Sequence, residues 1–323
     1  MRILFWGTPA FAVPPLQALL GEGFDVIGVV TQPDRPVGRA RTLTPPPVKE
    51  VALREGLPVL QPEKPRGEAF LAELSALGPE LNVVVAYGHL LPTAVIEHPP
   101  LGTINIHASL LPDLRGAAPI ETAIRRGLTE TGVTIMRMVL AMDAGPILYK
   151  STTPILADET GGELRNRLAE LGAQSLIEAL ALLELHQLPD VEQDHARATF
   201  APKIERDHAR IRWSAPASDV ANTIRAYDPR PGAFTTLHGV DVKCFGVRAS
   251  HMHTTVDTPG TVLAIDDAGL MVACGEGTVR IAEVHPSGKR RQTVREWAAG
   301  RGVVINDVLG IDALEPDAPA RHT

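Results

Sequence analysis

The stretch Thr103–Gly116, TINIHASLLPDLRG, is the densest polar and glycine-bearing segment of the chain and the first place to look for chemistry. Asn105 and His107 lie two apart in a strand-like run, which puts both side chains on one face. They fall at the strand's C-terminal end, where open α/β sheets place their ligand crevices. An imidazole titrates near neutral pH and can take or give a proton, and a carboxamide can donate to a developing oxyanion. Asp143, in Met142-Asp143-Ala144-Gly145, sits between two further strand-like runs, where its carboxylate could reach back and orient the imidazole. Each residue has a plainer reading: a lone histidine as a structural side chain, a lone aspartate as a turn residue. Spacing alone does not bring the three together. No metal site is expected. Cys244 and Cys274 lie 30 residues apart and match no ligand spacing, and His251-Met252-His253 has no third ligand nearby.

The elements that must position these residues alternate along the first half. Strands are predicted at Ile3–Trp6, Phe24–Thr31, Leu81–Ala86, Thr103–His107, Val133–Leu140 and Ile147–Ser151, and helices at Phe11–Leu20, Pro46–Glu55, Glu68–Ala76 and Ala117–Arg126. Short apolar strands alternating with helices predict a Rossmann-like, mostly parallel sheet covered on both faces. A helix starts near Thr160, where Thr160 and Glu163 have capping-box spacing and a leucine stripe follows. The first βα turn, Gly7-Thr8-Pro9-Ala10-Phe11, lacks the glycines of a dinucleotide fingerprint, which argues against a dehydrogenase. After about residue 207 the texture changes to short strands parted by Gly turns, which predicts a small antiparallel OB-like β-barrel. The expected organisation is a catalytic domain over 1–188, a linker over 189–206, the barrel over 207–310 and a disordered tail over 311–323.

The 323 residues carry a net charge of −7, which argues against a general charge-driven grip on nucleic acid or anionic membrane, so that any polyanion must meet a local basic patch. Two such patches stand out: Arg35, Arg39, Arg41 and Lys49 around one Pro- and Gly-bearing loop, and Lys289-Arg290-Arg291 in the second half. No window is apolar and long enough to span a bilayer. The N-terminal run lacks the features of a secretory signal, and two isolated cysteines suit a reducing compartment. A cytoplasmic protein is expected.

The run N-I-H-A-S-L-L-P-x-x-R-G-A-A-P-I resembles the signature of the methionyl-tRNA formyltransferase family. Gly7-Thr8-Pro9, Thr31–Pro36 (TQPDRP) with Gly38-Arg39, Val83–Gly88 (VVVAYG), Glu130–Met136 (ETGVTIM), Asp143–Leu148 (DAGPIL), Ile211–Ser214 (IRWS) and Ile224–Tyr227 (IRAY) agree with it in order, so that the resemblance spans residues 2–305. It implies transfer of a formyl group from 10-formyltetrahydrofolate, as co-substrate, to the α-amino group of initiator methionyl-tRNA, without a metal. Asn105, His107 and Asp143 match the family's catalytic set. His107 and Asp143 would act as acid–base groups, and Asn105 and His107 as oxyanion donors. Ser109, Leu110, Leu111 and Pro112 match the folate-pocket loop, with Val85–Gly88 bordering the same pocket. Arg35–Thr44 matches a loop that inserts at the tRNA acceptor stem, with Arg39 its key arginine and Arg41 a second tRNA contact. Two departures stand out: Asp113-Leu114 replaces the usual basic and aromatic pair, and the basic run after Arg39 is thin. A monomer is expected. Two rival readings stay open: a formyltransferase acting on a small amine, such as an amino sugar nucleotide or glycinamide ribonucleotide, and a folate- or RNA-binding protein without catalysis.

Overall fold

The computed structural model describes residues 1–38, 41–250 and 257–310. The chain forms two compact units, one of 1–119, 130–154 and 165–202, the other of 120–129, 155–164 and 203 onward.

In the first unit the strands are β1 (Arg2–Gly7), β2 (Asp25–Val30), β3 (Arg35–Val37), β4 (Thr42–Thr44), β5 (Val59–Leu60), β6 (Leu81–Val85), β7 (Thr103–His107), β8 (Glu130–Arg137) and β9 (Ile147–Pro154). Seven of them make one sheet in the order β5-β2-β1-β6-β7-β8-β9, and β3 and β4 form a separate hairpin. Strands β5, β2, β1, β6 and β7 run parallel, and β8 and β9 are antiparallel additions. The sheet is thus mostly parallel, as its apolar strands predict. Ile3–Trp6 is wholly buried because β1 lies mid-sheet with both faces covered. The chain leaves β1 toward β2 and later returns to pair β6 on the other side of β1. That reversal opens a crevice at the strands' C-terminal ends, the ends from which residues 85–88 and 107–116 emerge.

The helices are α1 (Val13–Gly21), α2 (Pro47–Arg54), α3 (Glu68–Leu77), α4 (Thr93–Ile96), α5 (Pro119–Arg125), α6 (Gly161–Glu184), α7 (Ala217–Ala226) and α8 (Val294–Ala299). Thr160 and Glu163 exchange the expected capping bonds, Thr160 N–H donating to Glu163 Oε2 at 2.9 Å and Glu163 N–H to Thr160 Oγ1 at 3.2 Å. Leu164, Leu168, Leu176 and Leu180 of the stripe are fully buried.

The second unit holds an antiparallel sheet of β10 (Ala233–Leu237), β11 (Val240–Ser250), β12 (Val262–Asp266), β13 (Gly269–Ala273), β14 (Thr278–Pro286) and β15 (Gln292–Thr293), ordered β10-β11-β14-β13-β12 with β15 on β14. Among the described residues these pairings do not close into the expected barrel. Irregular chain occupies the edges instead. Ile211 N–H donates to Phe234 O at 2.8 Å and Gly310 N–H to Thr236 O at 2.8 Å on the β10 side, while Asn306 N–H donates to Val262 O at 2.9 Å on the β12 side. Both edges thereby lose the unpaired backbone that would join them directly. The tail expected over 311–323 and His251 and His253 lie outside the described residues. Cys244 and Cys274 are buried free thiols, pushed up by burial to about 12 and about 11. No helix among the described residues is long and apolar enough to cross a membrane.

Candidate active site

β7 brings Asn105 and His107 to one face, between β6 and β8, with Asn105 opposite Met136 and His107 opposite Thr134. Ile104 and Ile106 are buried on the other face. His107 Nε2 lies 3.0 Å from Leu114 O. A carbonyl can only accept, so Nε2 carries the proton of that bond. The other ring nitrogen, Nδ1, faces Asp143 Oδ2 at 3.6 Å, with side chains only 7% and 16% exposed. That distance is within ion-pair reach but longer than a direct hydrogen bond. The same carboxylate oxygen accepts Gly116 N–H at 2.8 Å. Asn105 is half-buried, and its carboxamide makes no hydrogen bond among the described residues. The structure therefore brings His107 and Asp143 together and leaves Asn105 as the unengaged donor on the same strand face.

Two glycines allow this geometry. Gly116 has φ +117°, and a Cβ there would meet Ala201 O at 2.6 Å; a Cβ on Gly145 would collide with Arg137 O. Asp143 itself, at φ +51°, is in the left-handed region, which is uncommon for non-glycine residues and which aspartate tolerates better than most.

The Ser109–Pro112 loop is fastened from beneath by a cross-strand pair, Thr134 of β8 and Lys150 of β9. Thr134 Oγ1 donates to Ser109 O at 2.7 Å and accepts Leu111 N–H at 3.1 Å. Lys150 Nζ donates to Leu111 O. Burial pushes the Lys150 ammonium below its usual range, with Asp113 opposing that shift and Arg197 adding to it. Leu111 packs on Met136 and Ile147, and Ser109 Oγ donates to Asp113 O at 2.5 Å. Ser109 and Leu111 are thus turned inward, whereas Leu110 and Pro112 remain partly open. Two residues past β6, Tyr87 is buried against Trp6, its hydroxyl without a hydrogen-bond partner among the described residues and its pKa pushed up by burial to about 12.

Sequence reasoning missed three residues here: Thr134, Lys150 and Gln193. Thr134 lies inside a quoted family segment and opposite His107, which is a usable signal. Gln193 had none, because it falls in the stretch expected as a linker. Residues 189–202 of that stretch belong to the first unit. Val191 and Ile147 exchange backbone bonds at 2.8 and 2.9 Å, and Arg115 N–H donates to Thr199 O at 2.9 Å.

The basic patches fare differently. Arg35 Nη2 donates to Gln32 Oε1 at 2.9 Å, and Lys49 sits on α2 with its Nζ 2.8 Å from Asp34. Hydrogen bonds from Gln61 and Lys49 hold the Asp34 carboxyl below its usual range. Arg41 is exposed, at φ +50°, with no side-chain partner among the described residues; Arg39 lies outside them. In the second unit Arg290 pairs with Glu296 at 3.0 Å. Arg291 pairs with Glu283 at 2.5 Å and lies 4.0 Å over the Phe245 ring. The run read as a basic edge is therefore largely neutralised, with Lys289 alone of the three lacking a side-chain partner among the described residues.

Residues 1–180 match the family model described as formyl transferase, and residues 203–302 that of the formyl transferase C-terminal domain. The methionyl-tRNA formyltransferase of Bacillus subtilis is 43% identical over 96% of this chain and 98% of its own. That of Ectopseudomonas mendocina is 49% identical over 90% of this chain and 91% of its own. The chain belongs to the methionyl-tRNA formyltransferase family. Among solved structures, HypX from Aquifex aeolicus in complex with tetrahydrofolic acid superposes with a TM-score of 0.66 at 21% identity over 95% of this chain, which spans about half (48%) of HypX. WlaRD, a sugar 3N-formyl transferase, superposes at 0.65 with 17% identity over 90% of this chain and 99% of its own.

Proposed function

We propose that this protein transfers the formyl group of 10-formyltetrahydrofolate to the α-amino group of initiator methionyl-tRNA. The observation that carries the reading is identity of 43% to a methionyl-tRNA formyltransferase across nearly the whole of both chains. A second unit does not by itself select a tRNA substrate, because a sugar formyl transferase shares the fold over 90% of this chain.

In this reading the α-amine attacks the formyl carbon, a new C–N bond forms, and negative charge builds on the formyl oxygen. Asn105, the one unengaged donor of the set, offers its N–H to that oxygen; a single such donor is worth about 10²–10³ in rate. The amine's proton goes to the His107–Asp143 pair, directly or through a water, and returns to N10 as the C–N10 bond breaks. With Nε2 bound to Leu114 O, Nδ1 is the ring position for that proton, and Asp143 Oδ2 faces it. Leu110 and Pro112, the open members of the Ser109–Pro112 loop, supply the apolar wall for the pteridine beside Val85–Gly88. Arg39 and Arg41 engage tRNA phosphates. Residues 1–188 form the catalytic domain and 189–206 the connection to an OB-like module over 207–310, its strand edges bridged by the chain around residues 306–310. The protein acts as a cytoplasmic monomer.

The test is incubation with 10-formyltetrahydrofolate and, in parallel, initiator methionyl-tRNA, glycinamide ribonucleotide and an amino sugar nucleotide. Formylmethionyl-tRNA is the expected product. Formylation of a small amine alone, or folate binding without turnover, would overturn the reading in favour of the corresponding rival.

A further inference from the structure

Gln193 uses every hydrogen-bonding position of a buried carboxamide on one task. Its Nε2 donates to Asp143 O at 2.9 Å and Gly145 O at 2.7 Å. Its Oε1 accepts from Arg115 Nε at 3.2 Å and Nη2 at 2.6 Å. Arg115 and Gln193 are both under a tenth exposed. Arg115 Nη2 also reaches His195 Nδ1 at 2.9 Å.

These bonds close a ring around one residue. The neighbour of Arg115, Gly116, gives its N–H to the Asp143 carboxylate, while Gln193, held by Arg115, takes the Asp143 carbonyl. Both the main chain and the side chain of Asp143 are thus tied to the same Arg115-Gly116 dipeptide. Asp143 holds a left-handed backbone conformation, φ +51°, and this ring fixes both its main chain and its side chain in that conformation.

We propose that Gln193, clamped by Arg115, is a positioning residue that holds the Asp143 carboxylate at its place opposite His107 Nδ1. The proposal rests on the reading of Asp143 as part of the catalytic set. Amide donation to the two carbonyls is the part that matters. Gln193→Met removes it at similar side-chain length, and Gln193→Glu removes it while keeping an acceptor for Arg115.

The experiment measures kcat and both KM values, for 10-formyltetrahydrofolate and methionyl-tRNA, in Gln193→Met, Gln193→Glu, Asp143→Asn and the Asp143→Asn/Gln193→Met double variant, with thermal melts alongside. Misplacing a catalytic group should lower kcat by about 10- to 100-fold in either Gln193 variant and leave both KM values within about threefold. In the Asp143→Asn background the Gln193 change should cost less than about twofold more, because the group it positions is already gone. A folded Gln193→Met or Gln193→Glu enzyme with wild-type kcat overturns the proposal, and so do losses that multiply in the double variant, the pattern of general structural damage. Should Gln193→Met fail to fold, Gln193→Glu, which keeps an acceptor for Arg115, decides in its place, alone and paired with Asp143→Asn. Failure of the Asp143 reading shows separately, as a wild-type rate in Asp143→Asn; failure of the brace alone shows as a slow Asp143→Asn beside a fast Gln193 variant.

Discussion

The loop after β7 and the hairpin of β3 and β4 both carry family-motif residues, and the first unit treats them in opposite ways. In the loop, polar groups are matched both locally, Leu114 O to His107, and over long stretches of sequence, Gly116 N–H to Asp143, Ser109 O to Thr134 and Leu111 O to Lys150. In the hairpin, matching stops at the base. Arg35 and Lys49 are spent on Gln32, Asp34 and Gln61, and Arg41 projects without a side-chain partner among the described residues. Over-determined geometry suits groups that must meet a reacting atom within fractions of an ångström. A free cation on a tether suits a phosphate backbone, which is bound by charge more than by fit. Damage should therefore be local and large in the first region, and graded and salt-dependent in the second.

The largest expected effect is at His107 and Asp143. His107→Ala and Asp143→Asn should keep the fold and lose about 10²–10⁴ in kcat, the range for a general acid–base group. Steady-state rates with both substrates saturating, beside a circular dichroism melt, check this. A variant within about threefold of wild type removes that residue from the reaction.

Next comes the loop's support. Thr134→Val keeps the shape of a fully buried side chain but leaves Ser109 O and Leu111 N–H without their partner. Stranding buried polar groups costs about 1–3 kcal/mol, so the melting midpoint should fall. The apparent KM for 10-formyltetrahydrofolate should rise roughly tenfold while the KM for methionyl-tRNA stays put, if Leu110 and Pro112 face the pteridine. An equal rise in both would detach this loop from the folate pocket.

The same contrast explains what was legible in the sequence. Thr103–His107 was readable to the residue because a buried strand leaves a simple pattern, apolar neighbours flanking two polar side chains on one face. The Thr160 cap was readable because its partner, Glu163, is three residues away. The convergence of His107 and Asp143 was carried by the family motif and not by spacing, since the contact spans 36 positions and depends on Gly116 and on a strap near residue 193. Gln193 was invisible for the same reason: its partners lie 78 and 50 residues away, in a stretch with no period. The β3–β4 hairpin was missed because Pro, Arg and Thr residues there bury nothing and so leave no alternation. The open edges of the second sheet were hidden likewise, being covered by irregular chain around 306–310.

The smallest expected effect belongs to Arg41, and it is the one that best separates the two regions. An exposed arginine with no side-chain partner among the described residues contributes almost nothing to the fold, so Arg41→Ala should leave the melting midpoint and the KM for 10-formyltetrahydrofolate unchanged. If Arg41 neutralises a tRNA phosphate, its loss removes one released counterion, and the log–log salt dependence of the KM for methionyl-tRNA should flatten by up to about one unit. Lys49→Met is the informative companion. Its ammonium holds Asp34 and Gln61 at the hairpin base, so its loss should lower the melting midpoint and weaken tRNA use without changing the salt slope, because no phosphate contact is lost. Formylation measured against tRNA concentration at several salt concentrations distinguishes the two. An Arg41→Ala enzyme with wild-type KM and wild-type slope would make the hairpin tip a solvated surface, whereas a changed slope in Lys49→Met would move the phosphate contact from the tip to the base.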